Sequence, residues 1–163
     1  MASSTQYQSK SMRDLGMEAL WFLAHTVLAI LSLGAILYAG ILLRIGDEPI
    51  EPKLAGTALA FLFPMGVGFG IARWKRNDIG RYVWISGILL FATVCVWVLD
   101  LPTGAGLCEH CGAVDKLWRT FFDVSHGSGL MGGDGLMVGV WIPLALFGYA
   151  MGAGLGIEDK QEE

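Results

Sequence analysis

The segment Arg73-Trp74-Lys75-Arg76-Asn77-Asp78-Ile79-Gly80-Arg81 separates two long apolar runs of the sequence. We refer to it as the basic hinge, because four of its nine residues are Lys or Arg. Basic residues that follow closely on a membrane-spanning helix stay on the cytoplasmic side of the membrane. The basic hinge therefore predicts which end of each neighbouring segment faces the cytoplasm.

Outward from the hinge, the sequence contains four apolar runs that lack Asp, Glu, Lys and Arg. These runs cover residues 19–43, 54–72, 82–99 and 135–157. Each reaches the ~18 to 20 residues that cross a hydrocarbon core of ~30 Å at 1.5 Å per residue. The chain is 54% hydrophobic and 16% charged, whereas a soluble domain has about 45–50% apolar and 25% charged residues. We therefore predict an all-α integral membrane protein whose four transmembrane helices form an up-down bundle.

Three polar segments complete the predicted organisation. Residues 1–18 form a polar leader, residues 100–134 form the longest connection, and residues 158–163 form an acidic tail. With four spans, the leader and the tail lie on the same side as the basic hinge. Seven of the eleven basic residues then fall on that side, namely Lys10, Arg13, Arg73, Lys75, Arg76, Arg81 and Lys160. We expect cytoplasmic N- and C-termini in a multi-pass protein of a bacterial inner membrane.

The distribution of charge also indicates which classes of partner to expect. The sequence has no basic stripe and no nucleic-acid-binding motif, so nucleic acid is not an expected partner. The predicted partners are membrane lipid and other integral membrane subunits.

His25 is the only His, Asp, Glu, Lys or Arg within the four runs. An ionisable residue inside a membrane is a functional candidate by default. His25 could be an axial ligand of a haem or of a chlorophyll-type pigment, or could hydrogen-bond a quinone. The other three runs have no His, so such a cofactor would be shared with another subunit. The alternative is a neutral His that is hydrogen-bonded at a helix contact.

The predicted extracytoplasmic loop 100–134 contains the motif Cys108-Glu109-His110-Cys111. Covalent haem attachment requires a His directly after the second Cys, and that position is Gly112. A disulfide between Cys108 and Cys111 is expected in an oxidising compartment. A redox-active dithiol and a metal site are the alternatives, and the weak metal-ligand candidates are Cys108, His110, Cys111 and His126, with Asp123 as a further ligand.

Two patterns predict helix contacts. In residues 113–124, apolar side chains recur at helical spacing at Val114, Leu117, Trp118, Phe121 and Phe122. The opposite face carries Asp115, Lys116, Arg119 and Asp123. This pattern predicts an amphipathic helix in the outer headgroup plane or against a partner. In the last run, Gly148, Gly152 and Gly156 form a small-x-x-x-small row that favours close helix packing.

Three functions fit the sequence. The first is a non-catalytic accessory subunit of a larger respiratory, photosynthetic or oxygenase complex, because the chain carries helix-packing faces without a complete catalytic constellation. The second is a quinone-linked thiol-disulfide oxidoreductase. Four spans with cysteines in the outer loop resemble the topology of the bacterial disulfide-bond-forming oxidases, but the second cysteine pair of that family is missing, and Cys95 is the only other thiol. The third, a small transporter or channel, would need an ion-binding group, and the spans contain neither acidic nor basic residues apart from His25.

Overall fold

The structure, a computed structural model, describes residues 12–42, 51–75, 77–101, 111–122 and 140–162. All regular elements in these ranges are helices. They are α1 (Met12–Leu42), α2 (Glu51–Trp74), a 3-10 helix (Asp78–Tyr82), α3 (Trp84–Asp100), α4 (Ala113–Phe121) and α5 (Ile142–Glu162). The predicted all-helical fold is therefore confirmed for the described part of the chain.

Three stretches are long and apolar enough to cross a membrane: Asp14–Ala39, Ala55–Trp74 and Asp78–Asp100. The apolar part of α5, Ile142–Glu158, is shorter. The predicted fourth run started at residue 135, and residues 135–139 lie outside the described ranges. Three of the four expected spans thus have the required length.

Two helix ends differ from the expected boundaries. Helix α1 begins at Met12, inside the polar leader, and α5 continues through the acidic tail to Glu162. Both extensions lack Pro, and Gly16 is their only Gly. Their Met, Leu, Glu, Lys and Gln residues have high helix propensity, so polarity alone does not end these helices.

The basic hinge folds against the bundle. The side-chain oxygen of Asn77 accepts a hydrogen bond from the backbone N–H of Ile79 at 3.0 Å, which starts the 3-10 helix. Gly80 is buried, and a Cβ placed on it would lie 3.3 Å from the Cβ of Ala153 and 3.5 Å from the ring of His25. Glycine thus allows the hinge to touch both α1 and α5.

Helices α2 and α5 pack with their backbones in contact. A Cβ on Gly152 would overlap the carbonyl oxygen of Met65, and a Cβ on Gly68 would overlap that of Tyr149. The same relation recurs one turn away on each side of Gly152, for Gly148 with Phe61 and for Gly156 with Phe69. Small residues permit this approach, and close approach is what gains van der Waals energy between helices in lipid.

Helices α1 and α3 and the 3-10 helix surround this pair. The main buried cluster consists of Ala29, Ala72, Val83, Leu146, Tyr149, Ala150, Ala153 and Ile157. Thr26 of α1 and Ser86 of α3 are hydrogen-bonded at 3.3 Å between their hydroxyl oxygens. Large apolar side chains such as Leu23, Leu31 and Leu89 are exposed on the outer faces of these helices. A bundle with apolar residues inside and outside suits a lipid environment.

Helix α4 lies alongside the second half of α3. The Lys116 ammonium group donates hydrogen bonds to the carbonyl oxygens of Leu99 at 3.0 Å and Leu101 at 2.5 Å. The Phe121 ring contacts the Phe91 ring at a centroid distance of 4.9 Å. Phe91 precedes Leu99 by about 12 Å along the axis of α3 at 1.5 Å per residue. The helix therefore runs back along α3 from its C-terminal end.

The position of Lys116 differs from the predicted amphipathic pattern. The sequence places Lys116 on the polar face, whereas the structure buries it against the end of α3. The last carbonyl groups of a helix have no partner within the helix and carry partial negative charge. A cation that reaches them is stabilised there, so hydrophobic spacing alone misplaced this residue.

Candidate functional site

The candidate site is centred on His25 of α1 and Tyr149 of α5. The Nδ1 atom of His25 lies 2.7 Å from the phenolic oxygen of Tyr149, and both residues are buried. Their rings are 5.8 Å apart and tilted by 54°. The pair links two helices that are distant in sequence and lies next to Gly80 of the basic hinge. It matches the sequence-based alternative of a His that is hydrogen-bonded at a helix contact.

The pair has more hydrogen-bonding capacity than it uses. The Nε2 atom of His25 is buried and has no hydrogen-bond partner among the described residues. If Tyr149 donates to Nδ1, the proton on Nε2 has no acceptor there. If Nδ1 donates to Tyr149, the phenolic proton has no acceptor and the Nε2 lone pair has no donor among the described residues. Either tautomer therefore leaves one polar hydrogen of this pair unused.

An axial ligand needs a ring nitrogen that faces the open plane of the macrocycle. In His25, Nδ1 is taken by Tyr149 and Nε2 is enclosed by protein. A macrocycle at Nε2 would require the helices around His25 to separate, and the role of His25 as an axial ligand stays a prediction. The arrangement can hold a neutral imidazole, and the hydroxyl group of Tyr149 fixes the orientation of its ring.

Trp21 and Lys75 form a stack that leads from His25 to the surface. The Trp21 ring lies 6.0 Å from the His25 ring, and the ammonium nitrogen of Lys75 lies 4.2 Å from the centroid of Trp21. On the same hinge, the Arg81 guanidinium lies 4.9 Å from the Tyr82 ring and donates a hydrogen bond of 2.8 Å to the Tyr82 hydroxyl. Two cations of the hinge are thus held over aromatic rings.

The predicted cysteine and metal candidates are only partly described. Cys108, His110, Asp123 and His126 lie outside the described residues. Cys111 lies two residues before α4, and Cys95 is a free thiol on α3. Among the described residues, no group of three or more His, Cys, Asp or Glu could hold a metal ion. The metal site therefore stays a prediction on residues that the structure does not describe.

A second feature is the outer face of α4. The side chains of Val114, Trp118 and Phe122 are 78%, 60% and 63% exposed, and they follow one another at intervals of four residues. The Trp118 and Phe122 rings contact each other at 5.3 Å. We refer to these three residues as the outer apolar row. Because Lys116 and Phe121 attach α4 to α3, this row points away from the bundle.

The sequence pattern did not predict Tyr149 as the partner of His25, the burial of Lys116 or a bond between Trp141 and Thr57. The Trp141 indole N–H donates a hydrogen bond of 2.8 Å to the Thr57 hydroxyl, which links α5 to α2. One signal could have found Tyr149. Tyr149 carries a hydroxyl group within an apolar run, and the other runs contain a single imidazole. Because buried polar groups pair with one another, the two could have been matched.

The comparisons with known proteins add no relative: no protein family, no characterised protein and no solved structure matches this chain.

Proposed function

We propose that the chain is a four-span integral membrane protein of a bacterial inner membrane that acts as a non-catalytic accessory subunit of a larger complex. Its termini and basic hinge would lie in the cytoplasm, and α4 would begin on the opposite side and lie along the outer half of α3. Three apolar helices of sufficient length support the membrane location. The basic residues of the hinge support the orientation.

The observation that carries the proposal is the outer apolar row. Its three large side chains are exposed although α4 is tied to α3 by two charged hydrogen bonds and an aromatic contact. Exposed Trp and Phe on an attached helix suit a surface that a second membrane protein or lipid covers, and the enrichment of aromatic residues at the centres of interfaces favours the protein. The neighbouring subunit would pack on this row.

The test is to extract the full chain with a copolymer that keeps native lipids and to examine it by native mass spectrometry. We expect integral membrane chains at a fixed ratio to the protein. Combined Trp118→Ala and Phe122→Ala substitutions should release them, whereas Trp74→Ala should retain them. Trp74 is the matched control, because it is 88% exposed at the opposite end of the bundle. A wild-type chain that is isolated alone with lipid would refute the proposal.

A disulfide between Cys108 and Cys111 is part of the proposal. Cys111 has an interaction partner, whereas Cys95 is a free thiol. A disulfide in the segment just before α4 would restrict how that segment approaches the helix. Mass spectrometry after alkylation without reductant tests this pairing, and modification of Cys108 and Cys111 by the reagent would contradict it.

The thiol-disulfide oxidoreductase is the second candidate, and Cys95 favours it. This free thiol packs against the cluster of Val94, Val98 and Phe121, beneath the helix that follows Cys111. A relay to a quinone would have to use Cys95. Unchanged disulfide formation in exported proteins after Cys108→Ser would eliminate this function.

A further inference from the structure

We propose that the basic hinge binds the phosphate headgroup of an anionic phospholipid, with Lys75 and Arg81 as its ligands. This proposal rests on the membrane orientation proposed above. It does not depend on a partner subunit, so the two proposals can fail independently.

In the proposed membrane orientation, the two cations would lie near the level of the headgroups. One apolar stretch ends at Trp74, one residue before Lys75, and the next begins at Asp78, three residues before Arg81. Contacts with two neighbouring turns of α1 bring the two ends of the hinge to the same end of the bundle. Lys75 covers Trp21, and Gly80, the neighbour of Arg81, lies against the His25 ring.

Both cations have unused donors. The described residues provide neither a carboxylate partner nor an acceptor for the ammonium group of Lys75. Arg81 uses one guanidinium nitrogen for the Tyr82 hydroxyl, and the remaining N–H groups have no acceptor among the described residues. By contrast, Arg73 and Glu18 already have interaction partners. Ammonium and guanidinium groups with free donors are the usual protein ligands of phosphate.

Aromatic side chains fix the cations and mark the membrane surface. The Trp21 and Tyr82 rings contact the Lys75 and Arg81 cations, which favours these positions of the two exposed side chains. Trp74 is 88% exposed and Trp84 is also exposed. Exposed Trp at the ends of spans is typical of the interface between hydrocarbon and headgroups. A headgroup at this level would meet the cations while its acyl chains lie along the apolar helix faces.

Charge selects the class of lipid. Asp78 is the only acid within the described hinge, so Lys75, Arg81 and Arg73 leave it with a positive net charge. Zwitterionic headgroups cancel their own phosphate with an ammonium group, whereas phosphatidylglycerol carries a net negative charge. Juxtamembrane basic residues each favour anionic surfaces by a factor of about five.

The test is native mass spectrometry of the detergent-solubilised full chain, titrated with phosphatidylglycerol or phosphatidylcholine. We expect phosphatidylglycerol to bind at least about fivefold more tightly, and we expect combined Lys75→Gln and Arg81→Gln substitutions to abolish the difference. Arg119→Gln, at the exposed Arg of α4, is the matched control and should retain it. Equal affinity of the wild-type chain for both lipids would overturn the proposal.

Two further arms separate binding from folding and lipid from free anion. Combined Lys75→Arg and Arg81→Lys substitutions keep both charges and should preserve the preference, and a loss here would assign the effect to structure alone. Glycerol 3-phosphate should not compete with phosphatidylglycerol at equal concentration. Competition by this soluble compound would show a site for free anions and would overturn the assignment to lipid.

Discussion

The imidazole of His25 and the phenol of Tyr149 form a buried hydrogen bond of 2.7 Å between α1 and α5. The two residues are separated by 124 positions in the chain. This bond ties the first helix to the close pair of α2 and α5. A buried polar group without a partner costs free energy. Any other register of α1 against that pair would break the bond and would therefore be less stable.

We predict that Tyr149→Phe destabilises the bundle by about 1–2 kcal/mol, because it leaves both ring nitrogens of His25 buried without a partner. Thermal unfolding of the detergent-solubilised protein measures this change. Adding His25→Leu to the same chain should recover much of the loss, since both polar groups are then gone. A Tyr149→Phe protein as stable as wild type would mean that the bond contributes nothing to packing.

The glycine row of α5 gives a prediction with an internal control. Gly152→Ala should destabilise the bundle by about 1–3 kcal/mol, because its Cβ would overlap the Met65 carbonyl and push α2 away from α5. Gly154→Ala on the same helix has no atom within 4 Å of its Cβ, and it should be neutral or slightly stabilising. Equal midpoints of thermal unfolding for the two variants would contradict the backbone contact.

The lengths of the apolar runs predict much of the fold. They predict less of the candidate site. The apolar runs around the basic hinge predicted α1, α2 and α3 because a span needs a fixed length of uncharged helix. Their ends were less predictable, since Met12 and Glu162 lie in polar segments that still favour helix. The partner of His25 could not be derived from spacing, because the match between His25 and Tyr149 depends on how two distant helices are rotated.

Lys116 should hold α4 in place. Lys116→Met keeps the length of the side chain but removes two hydrogen bonds to the end of α3, so we expect a loss of about 1–3 kcal/mol in the attachment of α4. Hydrogen exchange of the amides of α4 measures this loss directly. Arg119→Met, on the exposed face of the same helix, should leave exchange unchanged. Similar exchange in both variants would remove Lys116 from this role.

The orientation of the bundle gives the last prediction, because Trp74 of the hinge and Val114 of the outer apolar row should face opposite compartments. In a chain whose three cysteines are replaced by Ser, we introduce Trp74→Cys or Val114→Cys, at positions that are 88% and 78% exposed. A membrane-impermeant maleimide should label the Val114 variant in intact cells and the Trp74 variant only after permeabilisation. Leu31→Cys lies within the first apolar stretch, at a position that is 62% exposed. It should resist the reagent in both cases, because lipid would cover it. Labelling of the Trp74 variant in intact cells would invert the orientation, and labelling of the Leu31 variant would contradict the membrane location itself.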